Sequence, residues 1–284
     1  MKYQSSAYKV GTGLRSSHYS YLEQRPATEA SWFEATSEEY LDTRGRPFEI
    51  LKMVRHDYPV AFHGLGLNLG CIDGVRLDYL RKLHDLAEQV EPFIISDHIG
   101  WTGYRNHNMH DLLPLPLTQG SLQILSENID LAQSYLKTTL LVENISTYLN
   151  YRHNEMTEWE FMKELSRQTG CGILLDLSSV YVNSQNYGFN PKIFLDHLPM
   201  EHVRQIHLGG PTNHGDFLVN TRANEVSPPV WDLLKYVAAK VRHLPIAIER
   251  DGNIPAFNDL EMEIIKASFI LENSYDNERR AESV

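Results

Sequence analysis

The sequence predicts an α/β chain folded as a single TIM-type (β/α)8 barrel. Three observations carry that expectation: eight short apolar runs, helical periodicity between most of them, and a histidine or carboxylate closing six of the runs. The runs are Val10–Leu14, Trp32–Ala35, Val60–His63, Phe93–His98, Leu140–Glu143, Ile173–Asp176, Val203–Leu208 and Ile246–Glu249. Their length and β-branched or aromatic content suit strands covered on both faces. Leu80, Leu83, Ala87 and Val90 recur at helical spacing between the third and fourth runs, and Leu122, Leu125, Ile129, Ala132 and Leu136 do so between the fourth and fifth. Thr157 with Glu160 reads as a capping box ahead of Phe161 and Leu165, and Pro228 with Pro229 opens a helix over Val230–Arg242.

Strands alternating with helices imply parallel pairing and right-handed crossovers. The competing arrangement, a doubly wound open sheet, lacks its phosphate loop: Gly64-Leu65-Gly66 follows a run, but the third glycine would fall at Leu69. No Walker motif is present. The expected organisation is one barrel domain over residues 1–271, followed by a polar tail over 272–284 that frays.

With 42% hydrophobic and 22% charged residues, the 284-residue chain is neither disordered nor fibrous. Lys and Arg number 26 against 37 Asp and Glu, and the resulting charge of -11 argues against nucleic acid and anionic membranes as partners. No apolar run reaches the ~18 residues of a membrane span. Met1 to Val10 carries polar Gln4, Ser5 and Ser6 where a signal peptide needs an apolar stretch, so the expected location is the cytoplasm. Cys71 and Cys171 stand far apart outside any CxxC and are expected to be reduced, buried and structural.

The chemistry is expected where the strands end. His63, His98, Glu143, Asp176, His207 and Glu249 close their runs, and in a barrel those ends share one rim. Taken singly, each has an ordinary structural role, an Asp as a helix cap above all. Together they would bury three imidazoles and three carboxylates above Ala61, Ser96, Leu141, Leu174, Gln205 and Ala247, which is costly without a cation. Six ligands exceed the four of a tetrahedral zinc, so two or more ions sharing a carboxylate are expected, with Glu143 as the bridge. Imidazole with carboxylate suits iron, manganese or zinc. Asp97 and Asn144, flanking two of these residues, are expected to orient them from behind.

The strings Trp32-Phe33-Glu34, Ser96-Asp97-His98, Asp111-Leu112-Leu113-Pro114-Leu115-Pro116, Leu141-Val142-Glu143-Asn144, Gly172-Ile173-Leu174-Leu175-Asp176 and Ile206-His207-Leu208 resemble the DUF692 family from about Val10 to Asn258. That family groups multinuclear non-haem iron oxidative enzymes, including the methanobactin-biosynthesis iron enzyme. The resemblance implies a TIM-type barrel, dioxygen as co-substrate, and oxidative modification of a ribosomally made peptide, often at cysteine. It also implies a partner protein that presents the precursor peptide. His63, His98, Glu143, Asp176, His207 and Glu249 occupy the positions of the family's metal ligands. Two departures stand out. An Asp-Thr-His string that supplies a third iron reads Asn220-Thr221-Arg222 here, and an Asn pair after the sixth-strand Asp reads Ser178-Ser179. Arg222 cannot ligate, so two iron ions are expected rather than three, with Asn220 and the loop residue His214 as further candidates. His110, read as a loop residue, is a candidate for substrate contact. The competing functions are a divalent-metal isomerase or phosphodiesterase of the xylose isomerase or endonuclease type, and a binding protein without chemistry.

Overall fold

The structure, a computed structural model, describes residues 9–105, 107–241 and 243–282. Gln4, Ser5, Ser6, Arg242 and the last two residues of the expected tail lie outside them. Among the described residues twelve strands run β1 (Val10–Gly13), β2 (Phe33–Thr36), β3 (Val60–His63), β4 (Ile95–His98), β5 (Trp101–Tyr104), β6 (His107–Leu113), β7 (Leu140–Glu143), β8 (Gly172–Asp176), β9 (Val203–Leu208), β10 (Gly210–Asn213), β11 (Leu218–Asn224) and β12 (Ile246–Ile248). The helices are α1 (Tyr19–Leu22), α2 (Glu38–Leu41), α3 (Arg46–Asp57), α4 (Leu77–Val90), α5 (Gln119–Leu136), α6 (Glu158–Thr169), α7 (Leu177–Tyr187), α8 (Pro191–His197), α9 (Pro228–Val241) and α10 (Phe257–Glu282).

Eight parallel strands close the barrel in the order β1-β12-β9-β8-β7-β4-β3-β2. They are the eight expected runs. The helices expected between them form as well, α6 with its capping box and a Thr157 N to Glu160 Oε2 bond of 2.8 Å. Glu272, the first residue of the expected tail, lies within α10 instead. Two antiparallel hairpins, β5-β6 and β10-β11, stand outside the barrel and have no counterpart among the expected strands. Apart from Gly210 their residues are half-buried or exposed and lack an apolar alternation, so the period-two signal of a covered strand is missing. His110 accordingly lies in β6 rather than in a loop, in a left-handed backbone conformation.

Strand alternation divides the barrel into an outward apolar face under the helices and an inward face that narrows to a plug. Trp32, Ala61 and Ala247 are fully buried together there, with Phe93 against the Trp32 indole at 5.3 Å and close to a right angle. Gly11 on β1 makes room: a Cβ at that position would lie 2.5 Å from both the indole and the Trp32 carbonyl oxygen. Cys71 and Cys171 are both buried and free, and burial pushes the Cys171 thiol up to about 11.

This packing predicts that Gly11→Ala destabilises the protein by about 1–3 kcal/mol, since neither a strand carbonyl nor a ring wedged in the barrel floor can give way cheaply. Urea unfolding measures it. An unchanged midpoint means that the indole does not plug the barrel.

Candidate metal centre

β3, β4, β7, β8 and β9 deliver His63, His98, Glu143, Asp176 and His207 to one end of the barrel, and Glu249 follows β12 directly. The parallel register sets His98 opposite Glu143 and Asp176 opposite His207. All six are buried, Glu143, Asp176 and His207 completely.

Hydrogen bonds fix the tautomers of the histidines. Ser96 Oγ gives its proton to the Phe62 carbonyl at 3.2 Å, so it accepts from His63 Nδ1 at 2.8 Å. Gly64 O likewise accepts from His98 Nδ1 at 2.9 Å. In both rings Nε2 is left with its lone pair, and both lie against the same oxygen, Glu143 Oε2, at 3.0 and 2.8 Å. His207 is held from the far side: its Nε2 lies 3.1 Å from both Glu34 oxygens, and Gln205 Nε2 donates to Glu34 Oε2. Its Nδ1 then faces Glu249 Oε2 at 2.9 Å and Glu143 Oε1 at 3.2 Å.

Carboxylate oxygens pressed against imidazole lone pairs repel unless a cation or proton lies between them. His63 Nε2, Glu143 Oε2 and Glu249 Oε2 are in addition buried without a hydrogen-bond partner. Two groups here can hold an ion, His63 with His98 and Glu143, and His63 with His207 and Glu249. The donor set, neutral imidazoles with carboxylates, fits iron, manganese or zinc.

Asp176 joins neither group. Its Oδ1 caps α7 by accepting from Ser178 N at 2.8 Å, and its Oδ2 accepts from Ser179 Oγ at 2.8 Å, Arg222 Nη2 at 2.8 Å and Asn220 Nδ2 at 3.0 Å. Asn220 thus presents its amide nitrogen to the centre. Arg222 also reaches Glu143 Oε1 at 2.7 Å and Glu249 Oε2 at 3.0 Å. His214 sits exposed in the turn between β10 and β11, stacked on Phe217, outside both groups. Asp97 accepts from the backbone of Leu67 and His98, and Asn144 clamps the backbone of Asp176 from both sides at 2.8 and 3.0 Å.

Glu34 is the residue that sequence reasoning passes over. Its run carries it between the outward Phe33 and Ala35, so alternation alone aims it inward, on the face of Trp32. Burial would raise its pKa, but His207 and His63 outweigh that and hold it at about 2. Burial likewise opposes protonation of His207, while Glu249, Glu34 and Glu143 keep its pKa well above the usual histidine value. Glu143 is driven well below the carboxylate range by His98, Arg222, His63 and His207 in spite of its burial. Without metal, the carboxylates around His207 favour its protonated form.

These features define a (β/α)8 barrel with a buried imidazole and carboxylate centre at the C-terminal ends of its strands. The chain belongs to the family described as the RiPP precursor modification enzyme MbnB/TglH/ChrH, whose profile matches residues 9–272. This is the DUF692 family that the sequence motifs resemble. A UPF0276 protein of Acaryochloris marina is 40% identical over 263 residues, covering 92% of this chain and 94% of its own. A UPF0276 protein of Caulobacter vibrioides strain NA1000 is 41% identical over 263 residues, covering 90% and 92%. Among solved structures, endonuclease IV from Thermus thermophilus shares the fold, with a TM-score of 0.59 at 13% identity over 95% of this chain and 99% of that one.

Glu34 supplies a pH prediction for the metal-free protein. Its folded pKa lies below the unfolded value of 4.5, so its stabilising effect is complete above that pH and fades as pH falls toward 2. Glu34→Gln should cost roughly 3 kcal/mol near neutrality. The gap from wild type should narrow in unfolding experiments stepped downward from about pH 5. A gap that stays constant across that range would show that Glu34 is not a charged partner of His207.

Proposed function

We propose that this protein is an iron-dependent, dioxygen-using enzyme that oxidatively modifies a ribosomally made precursor peptide at cysteine, in the cytoplasm, with a partner protein presenting the peptide. The observation that carries the reading is Glu143, a fully buried carboxylate with His63 and His98 lone pairs on one oxygen and His207 and Arg222 on the other. Family membership supports the substrate class, a peptide that is modified after synthesis. His63, His98 and Glu143 would hold the ion, with His207 and Glu249 as the alternative donors around His63. Bound iron would supply open coordination positions and the electrons that reduce dioxygen.

The chain's own residues do the rest. Ser96 and the Gly64 carbonyl keep His63 and His98 in the tautomer that ligates, and Glu34 and Gln205 hold the His207 ring in place through its Nε2. A cavity of about 290 Å³ opens over the centre, lined by Arg15, Thr36, His63, His98, Arg222 and Glu249 among others. That volume is small for a whole ligand and sufficient for one side chain of a peptide. Glu249 borders this cavity with its carboxylate held by His207 and Arg222, so it shapes the opening rather than offering a free base.

The test is protein purified without oxygen, assayed for metal and then for oxygen uptake with a cysteine-containing precursor peptide, sought among the products of the neighbouring genes. Iron in the protein and uptake that requires both peptide and its cysteine support the reading. Zinc or manganese, with turnover of a sugar or phosphodiester in the absence of oxygen, overturns it in favour of the isomerase or phosphodiesterase class. His98→Ala should weaken metal binding roughly 10- to 100-fold or more. Chelation should lower Tm, because an ion held only by the folded state stabilises it by mass action; an unchanged Tm would make the ion adventitious.

A further inference from the structure

The two groups that can hold an ion share one atom. His63 Nδ1 is committed to Ser96, so Nε2 is its sole donor, and one imidazole lone pair serves one ion. With the side chains as they stand, the groups are alternatives for a single ion. A second ion would have to use His207 with the remaining oxygens of Glu143, Glu249 and Asp176. Arg222 holds those oxygens: Nη2 lies 2.7 Å from Glu143 Oε1 and 2.8 Å from Asp176 Oδ2, Nε 3.0 Å from Glu249 Oε2, and Nη1 3.2 Å from Glu249 Oε1.

The guanidinium is seated rather than draped over the site. Its side chain is 12% exposed. The Arg222 backbone takes a φ of 49°, a region that non-glycine residues enter at a cost. Gly209 lies under the stem of the side chain, where a Cβ would come within 2.9 Å of Arg222 Cγ. Asp251 N donates to the Arg222 carbonyl at 2.9 Å and ties this residue to the loop after β12. Asn220, two residues earlier on β11, adds a further donor to the Asp176 oxygen that Arg222 holds.

We infer that Arg222 is a tethered cation standing in for a metal ion, so that the centre takes one tightly held ion, on His63, His98 and Glu143, where two are expected from the sequence. The guanidinium stays charged at any working pH, and its planar fork of donors matches several carboxylates at once. It therefore neutralises the Glu143, Asp176 and Glu249 side of the rim permanently, and its charge repels a divalent ion brought beside it. Asp176 is on this account a partner of Arg222 and a cap of α7 rather than a ligand. The inference rests on the reading of the site as a metal centre, and neither on iron nor on the peptide.

The experiment titrates metal-free protein with Mn(II), removes loose ions by gel filtration, and reads bound manganese by elemental analysis and by electron paramagnetic resonance. Wild type should retain about one ion per chain with the six-line spectrum of an isolated Mn(II), since one set of donors is free. Arg222→Ala should retain about one more, with the broadened spectrum of a coupled pair, because Glu143 then offers both oxygens to neighbouring ions. Arg222→Lys, which keeps the charge, should stay at the wild-type count, and Arg222→Gln replaces the alanine variant if circular dichroism shows that variant unfolded. Two tightly held ions in wild type overturn the inference, as does a folded Arg222→Ala that still retains one. No manganese retained by wild type would overturn the metal-centre reading itself, whereas equal counts in wild type and variant sink only the assignment of Arg222.

Discussion

The rest of the site depends on burying the charge of Glu143. A lone carboxylate removed from water costs several kcal/mol even after relaxation, and Glu143 has no exposed surface at all. The barrel closes around it with nitrogen on every side: His63 and His98 Nε2 against Oε2, and His207 and the Arg222 guanidinium on Oε1. Each of these is itself buried and must be held in turn. Ser96, the Gly64 carbonyl, Glu34, Gln205 and Asp176 serve that purpose, so the polar network extends inward to the layer just above the Trp32 plug.

The two oxygens of that carboxylate divide the rim into unlike halves. One half presents imidazole lone pairs to an oxygen without a hydrogen-bond partner, an arrangement that invites a cation. The other half already contains one, joined to the chain by the stem of Arg222. A proton, a metal ion and a guanidinium are three answers to the same electrostatic demand. They differ in what they permit: the proton is lost when metal binds, the metal can exchange ligands, and the guanidinium does neither.

The barrel itself says little about which chemistry follows. Endonuclease IV from Thermus thermophilus folds the same way at 13% identity, and strand ends of a barrel accept many reactions. What distinguishes this chain is carried by side chains at the mouth and by the two hairpins. β10-β11 brings Arg222 and Asn220 to the centre, while β5-β6 is a separate hairpin that follows β4. An insertion that leaves the strand order untouched thus decides how many carboxylates remain for metal.

The sequence by itself determined the barrel and six of its rim residues, because both follow from local patterns. Covered strands announce themselves as apolar runs, and a histidine or acid at the end of such a run can only stand at the mouth. The same rule contained Glu34, whose alternation with Phe33 and Ala35 aims it inward, although it lies one residue short of the end of its run. The hairpins had no such pattern, since their exposed residues need no apolar face. Which residues meet was decided by tertiary structure alone. That Asp176 pairs with Arg222 rather than standing beside His63, and that His214 points away while Arg222 turns in, depends on a left-handed residue, a glycine beneath it and a fold that brings β11 against α7. Contacts between residues tens of positions apart leave no trace in local spacing, because what selects them is the balance of charge in a space that exists only once the barrel has closed.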